Sequence, residues 1–467
     1  MRTSLLWLGF IVPILALASC SDTNHDTSPA SDATVPDASE ETAIEEIAPP
    51  ADGSASDFCD LPGSLVFESN GSRRLVSGGR SAPSLSWLTL PEGFCAHYFA
   101  NVTTARQIRF APGGELFVAS PSTATAGGAP IGLGAIVVLA DDNHDGYADG
   151  DSLPHSDGTA ENLSLFMSGV ASTQGLLFAS GAFYYQDSTS IMKLPYAVGD
   201  RTAKGTPEMI ADITVFPTQD HWPKTLDMAD DGTIYVGNGG DQDEVCDPTV
   251  FPRPFHGGIH TIGGADDPIG GTEISMGFRN PIAIRCQVGH NLCFSIELGK
   301  DGTAGEGGRE KLVPIRKGDD WGYPCCATKN LPYPGISGTP NCSSVASEKV
   351  AFEIGDTPFG FDFESHGWPA PFTKNILVAT HGEVGSWSGA RVVAIPTQSN
   401  GMPVMSSDLV SESGLKDFAS GWPLNSAAHS QGRPAAVAFA TDGRLFIAND
   451  LDGDIFWVAP VGVGPDH

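Results

Sequence analysis

Asp141, Asn143 and Asp145, followed by Gly146, place side-chain oxygens at alternate positions of a short loop, the spacing with which EF-hand-type loops wrap Ca²⁺. Ser152 stands where the twelfth-position Glu would be, so such a site would bind weakly, and an ordinary turn between strands is the equal alternative. A second polar set is dispersed along the chain: Arg106, Gln174, His221, Asn280, Thr357 and Arg433 each stand just before an apolar run, at corresponding places of a repeated unit. If those places converge, an imidazole able to take a proton near neutrality would share one opening with guanidiniums whose forked donors suit anions. A ligand site and a merely wet structural channel both fit that pattern. Of nine cysteines, Cys286 and Cys293 flank a six-residue segment with the look of a hairpin turn and are the pair expected to bond. Cys59 with Cys95, and Cys342 with Cys325 or Cys326, are further candidates, and no spacing suggests a zinc site.

The elements that would position these residues are short strands. From about residue 85 onward a unit recurs: an apolar strand, a turn often containing Asp-Gly, a second strand, then a Gly and a third strand. The six second strands begin at Glu115, Ala182, Thr233, Leu292, Asn375 and Arg444, and the third strands lie near 135–138, 191–194, 259–262, 312–315, 392–395 and 455–458. Their continuous apolar runs fit sheets buried on both faces by radial neighbours, where a solvent-facing sheet would alternate strictly. The predicted fold is all-β, a six-bladed β-propeller of four-stranded antiparallel sheets over 58–467. A β-sandwich is the competing reading, but it leaves the near-constant period unexplained. In a propeller the loops before each first strand meet at the mouth of the central funnel, where ligands tend to bind.

Five segments, in order along residues 85 to 460, resemble the glucose/sorbosone dehydrogenase family of PQQ-dependent sugar oxidoreductases. They are Asp220-His221-Trp222-Pro223-Lys224-Thr225-Leu226, Gly277-Phe278-Arg279-Asn280-Pro281, Gly318-Asp319-Asp320-Trp321-Gly322-Tyr323-Pro324, His381-Gly382 with Ser386-Trp387, and Gly432-Arg433-Pro434. The resemblance implies that His221, beside Asp220, is the catalytic base, taking the sugar hydroxyl proton while hydride passes to pyrroloquinoline quinone (PQQ). It implies that Arg106, Asn280, His381, Trp387 and Arg433 cradle this triply carboxylated cofactor. It also implies a Ca²⁺ site from Glu297, Gly299, Asp301, Glu306 and Glu310. The chain departs from the family pattern at Arg309, at Thr357-Pro358 and at Gln174-Gly175. A sugar is the implied substrate, and the electron acceptor is left unnamed. A non-catalytic propeller that binds glycan or protein, and a Ca²⁺-dependent lactonase, are the other functional readings.

The N-terminus reads as an address. Arg2 precedes an apolar run from Leu5 to Leu17, and Leu17-Ala18-Ser19-Cys20 resembles a bacterial lipobox, so residues 1–20 are expected to be a lipoprotein signal ending at an acylated Cys20. Residues 21–57 hold ten acids, no Lys or Arg and few large apolar side chains, the composition of a disordered tether. The expected location is the bacterial cell envelope, periplasmic or at the surface, with membrane contact only through the lipid. A net charge of −31 excludes phosphate-backbone binding, so no nucleic-acid partner is expected.

Overall fold

The computed structural model describes residues 44–47, 57–123, 125–126, 129–130, 132–149, 164–213, 221–240, 246, 257–262, 272–303, 308–336, 340–347, 350–382, 389–404, 415–422 and 432–464. Cys20, Asp220, Glu306 and Trp387 lie outside them, as does most of the expected signal and tether. The described residues belong to a unit bounded by Thr42 and His467. They form an all-β protein, a β-propeller of small antiparallel sheets. Among them the only helix is a 3-10 turn at Phe58–Asp60, and no helix is long and apolar enough to cross a membrane.

Sheet I runs Gln107–Phe110, Leu116–Ser120, Leu133–Leu139 and Ser164–Ala171, and sheet II runs Leu176–Ala179, Ala182–Asp187, Ser190–Pro195 and Glu208–Asp212. Sheet III consists of Leu226–Met228, Ile234–Asn238, Gly258–Ile262 and Thr272–Met276, and sheet IV of Asn280–Gln287, Leu292–Leu298, Glu310–Pro314 and Val350–Phe352. Sheet V contains Pro358–Phe363, Asn375–Thr380, Arg391–Pro396 and Lys416–Ala419. Sheet VI has seven strands: Pro434–Phe439, Leu445–Asn449 and Asp454–Pro460 pair onward to Phe94–Asn101, which is followed by Leu65–Phe67, Arg73–Val76 and Ile44–Ile47.

Sheet VI is where the expectation of uniformly four-stranded sheets is corrected. Phe94–Asn101 pairs with Asp454–Pro460 in antiparallel register, Phe456 opposite Tyr98, so the two ends of the unit are closed by one ladder. The exposed edge this leaves is then covered by the short N-terminal strands rather than left as an unpaired template. Ile44–Ile47, inside the stretch expected to be a tether, is the outermost of them and pairs in parallel with Arg73–Val76.

The apolar runs behave as their patterning requires. Every residue of Asn375–Thr380 is buried, as are the first five of Pro434–Phe439, because each sheet is covered on both faces. A distinct hydrophobic cluster fills each gap between consecutive sheets, from I against II round to VI against I. Between V and VI, Phe94 meets Trp368, Phe372 and Phe418 edge-on at centroid distances of 5.2, 5.6 and 5.3 Å. The first strands neighbour one another in a closed ring from sheet I through sheet VI. At the end of this ring away from their starts, the axis holds charge: Arg109 binds Asp227 through both Nη atoms at 3.2 and 2.6 Å, and Arg285 donates to Ile108 O at 3.1 Å.

Among the described residues four disulfides form. Cys286–Cys293 closes its hairpin as expected, the two residues being direct cross-strand partners. Cys59–Cys95 and Cys326–Cys342 also form, and Cys246–Cys325 was not anticipated.

Candidate active site

Antiparallel pairing puts the start of each first strand and the end of each second strand at the same rim. Arg106 precedes the first strand of sheet I, Arg433 that of sheet VI, and His381 and Asp450 follow the second strands of sheets V and VI. These four come together. Arg106 Nη1 donates to Asp450 Oδ2 at 2.6 Å, and His381 Nε2 lies 2.9 Å from Asp450 Oδ1. Arg433 donates from Nε to His381 O at 2.9 Å and from Nη2 to Gly382 O at 2.8 Å. The Arg106 guanidinium lies 4.5 Å from the Phe359 ring centroid and 5.8 Å from that of Trp222, so it reaches from sheet I towards sheets V and III. Phe359 in turn stacks obliquely on His381 at 4.5 Å.

Burial lowers His381 to about 4, so the ring is neutral at physiological pH. Burial alone would raise Asp450, but His381, Arg106 and Arg433 hold its carboxyl below the usual carboxylate range. Burial also brings Arg433 down to about 10, partly opposed by Asp450. The cluster therefore keeps two guanidiniums against one carboxylate, a net positive floor inside a strongly acidic protein.

His221 sits on the sheet III side of the same rim, its neighbour Trp222 facing Arg106. Its Nδ1 lies 2.7 Å from Gly240 O, which fixes the proton on Nδ1 and leaves Nε2 as the basic nitrogen. Gly239 is required here, since a Cβ at that position would fall 2.3 Å from His221 Cβ. Gly240 N donates to Arg279 O at 2.6 Å, which joins the His221 segment to Arg279-Asn280. Asn280 Oδ1 is buried without a hydrogen-bond partner, as are Gln174 Oε1 and Arg106 Nε. The segment carrying His221 is held by Gln186, which donates to Trp222 O at 2.8 Å and accepts from Lys224 N at 2.9 Å.

The acids expected to hold Ca²⁺ make the following contacts, Glu306 lying outside the described residues. Glu297 is fully buried and its oxygens accept from the backbone N–H groups of Arg279 and Asn280 at 2.6 and 3.3 Å, with burial raising it to about 7. Asp301 is ion-paired with Arg279 at 2.5 Å, and Glu310 accepts from Thr357 N at 2.6 Å while burial pushes it well up. Gly299 packs its α-carbon against Arg309 O, so tightly that a Cβ would fall 2.2 Å from it. These carboxylates accept from amides and pair with an arginine, and Asp301 and Asp356 lie close enough to Glu310 to add to its upward shift. Asp141, Asn143 and Asp145 lie beyond the third strand of sheet I, at the rim opposite the mouth. There Asp145 N donates to both Asp141 Oδ1 and Asn143 Oδ1 at 3.0 Å, and Arg80 pairs with Asp145 at 2.7 Å, while Arg444 approaches Asp141 at 3.7 Å. The oxygens of the loop thus accept from its own amides and face Arg80 and Arg444. Among the described residues no three His, Cys, Asp or Glu gather as a metal site.

Three cavities, of about 270, 320 and 520 Å³, lie under the N-terminal strands, beside the Asp141 loop and beside the Cys286–Cys293 hairpin. None is at the mouth, whose titratable and aromatic residues we take as the site on chemical grounds. Segments 241–245, 247–256, 383–388 and 423–431, which join strands ending there, lie outside the described residues.

Asp450, Phe359 and Gln186 were missed by the sequence reading, although His381, which also follows a second strand, was named. The ends of the second strands, also at the mouth by antiparallel pairing, carry the signal that would have found Asp450.

Fold and site together define a β-propeller with a charged, aromatic-lined mouth. No family model matches the chain, and no curated protein matches it. Solved structures do. An iodide structure of a Trichoderma reesei enzyme of Carbohydrate-Active Enzymes Family AA12 superposes with a TM-score of 0.62 at 17% identity, over 82% of this chain and 100% of that one. The holo form of the pyranose dehydrogenase PQQ domain from Coprinopsis cinerea gives 0.61 at 16% identity, over 79% and 96%. The apo form of the soluble aldose sugar dehydrogenase from Escherichia coli gives 0.52 at 12% identity, over 79% and 99%. The chain thus has the fold of the PQQ-dependent sugar dehydrogenase propellers.

Proposed function

We propose that the protein is an exported, six-bladed quinoprotein that oxidises a sugar or a related aldehyde, with PQQ bound at the mouth. The sixth blade is the run from Pro434–Phe439 to Phe94–Asn101 within sheet VI. The observation that carries the reading is the convergence of Arg106, Arg433 and His381 around Asp450, with His221 on the adjoining side. A flat polyanion needs such cations, and the partnerless buried Arg106 Nε and Asn280 Oδ1 are polar atoms that a ligand would satisfy. When bound, PQQ accepts the hydride. The chain's part is to hold it with Arg106 and Arg433, to stack Phe359 and Trp222 beside it, and to take the substrate hydroxyl proton on His221 Nε2. Asp220 and Trp387 keep the roles the resemblance gives them.

The likeness to a calcium form of the AA12 enzyme, at a TM-score of 0.62 and 18% identity, supports Ca²⁺ as a second ligand. Glu297, Gly299, Asp301, Glu306 and Glu310 are the residues that would hold it. Four disulfides support an oxidising compartment, consistent with the envelope location and the lipid anchor at Cys20. The test is turnover: purified protein with PQQ, Ca²⁺, a panel of aldoses and an artificial acceptor should reduce the acceptor, with His221→Ala slower by about 10²- to 10⁴-fold. Absence of reduction with every aldose would remove the reading. Glycan binding that needs no quinone and survives His221→Ala would favour a non-catalytic propeller instead.

A further inference from the structure

Lys224 stands three residues after His221 and two before the first strand of sheet III, and is 6% exposed. Among the described residues its ammonium makes one hydrogen bond, to Asn238 Oδ1 at 2.8 Å, and no ion pair. Burial lowers it to about 8, so at neutral pH it remains mostly charged. A charge withdrawn from water and facing only neutral groups is strongly unfavourable, and buried lysines are almost always paired. Gln186 fixes the backbone at Trp222 and Lys224 from sheet II.

The groups around the amine are likewise unsatisfied. Asn238 Nδ2 and both ring nitrogens of His260 are buried with no hydrogen-bond partner. His260 is the register partner of Val236, two residues before Asn238 on the same strand, and burial followed by the Lys224 charge brings it down to about 4. An ammonium, an amide N–H and an imidazole N–H are all donors. Their shared complement is an acceptor that carries negative charge.

We infer that Lys224, Asn238 and His260 form a buried site for one small anion, a halide or a carboxylate, on the sheet III side of the mouth below His221. His221 and Lys224 read the same strand end, the first at Gly240 O and the second at Asn238 Oδ1. The anion would therefore lie beside the base, apart from the Arg106–Asp450–Arg433 cluster. Its source is either inorganic halide or a carboxylate of the organic ligand in the mouth.

The two sources separate in one experiment on the full-length protein free of quinone. Chloride is titrated in chloride-free buffer and followed by ³⁵Cl line broadening, formate is used as competitor, and crystals grown in bromide are examined for anomalous scattering at Lys224 Nζ. Saturable broadening that formate displaces, with a bromide peak at Nζ and at least tenfold weaker binding in Lys224→Met, establishes an inorganic anion site. Absence of halide binding, with formate or PQQ binding weakened at least tenfold in Lys224→Met, establishes a carboxylate site. Anion binding by the wild type that is unchanged in Lys224→Met, or no dependence of chloride, formate and PQQ on Lys224, overturns the inference. Should Lys224→Met fail to fold, His260→Phe, which keeps the ammonium and loses a donor, gives the same comparison. The chloride and formate arms contain no quinone, so they stand or fall separately from the dehydrogenase reading.

Discussion

Replacing Asp450 with Asn keeps the shape of the side chain and removes the charge on which the mouth is organised. The carboxylate accepts from Arg106 at 2.6 Å and lies 2.9 Å from His381 Nε2, and its side chain is 5% exposed against 20% for Arg106. Deleting one member of a buried ion pair typically costs about 3–5 kcal/mol, because the remaining charge is left uncompensated. Partial access of water to Arg106 places this case at the lower end, roughly 3 kcal/mol. The assay is urea unfolding of wild type and Asp450→Asn, with the slope checked for equality so that the midpoint difference reports stability. Because the folded carboxyl is held below the ordinary range, its contribution is present above the unfolded pKa of about 3.9 and is lost only as pH falls through the folded value. The difference should therefore be constant across the neutral range. A loss under about 1 kcal/mol, the magnitude of an exposed pair, would refute the placement of Asp450 as a buried hub.

Other consequences can be measured in parallel. His260 is held at about 4 in the folded protein against about 6.5 unfolded, so the unfolded chain binds the extra proton and stability falls as pH drops from about 6.5 to 4; His260→Leu should remove about 3 kcal/mol of that loss in pH-dependent unfolding. Gln186→Leu strands Trp222 O and Lys224 N, which should lower stability by about 2–4 kcal/mol and slow turnover without abolishing the fold, seen by paired unfolding and rate measurements. Removing Cys59–Cys95, which closes a separation of 36 residues, should cost about 4 kcal/mol by the chain-entropy relation and loosen the N-terminal strands in hydrogen exchange.

The strands were legible because burial on both faces writes itself as unbroken apolar runs: Leu116–Ser120, Asn375–Thr380 and Leu445–Asn449 each overlap the runs read from sequence. Closure was not legible, since Phe94–Asn101 pairs with Asp454–Pro460 across the whole length of the unit and no local pattern encodes a distant partner. Arg106, His381 and Arg433 were found at the mouth, but the carboxylate that binds Arg106 and neighbours His381 was not. How the acids expected to hold Ca²⁺ are engaged was not legible, for one physical reason. Acid spacing shows that oxygens are near one another, while the competing amides of Arg279, Asn280, Thr357 and Asp145 are invisible until the chain is folded.

The most direct test of the central claim is an absorption titration of the purified protein with PQQ, repeated for Arg106→Ala, Arg433→Ala and His221→Ala. One quinone per chain is expected for wild type and for His221→Ala, with affinity at least tenfold weaker in either arginine variant. Equal affinity in all four proteins, or no binding by the wild type, would contradict it.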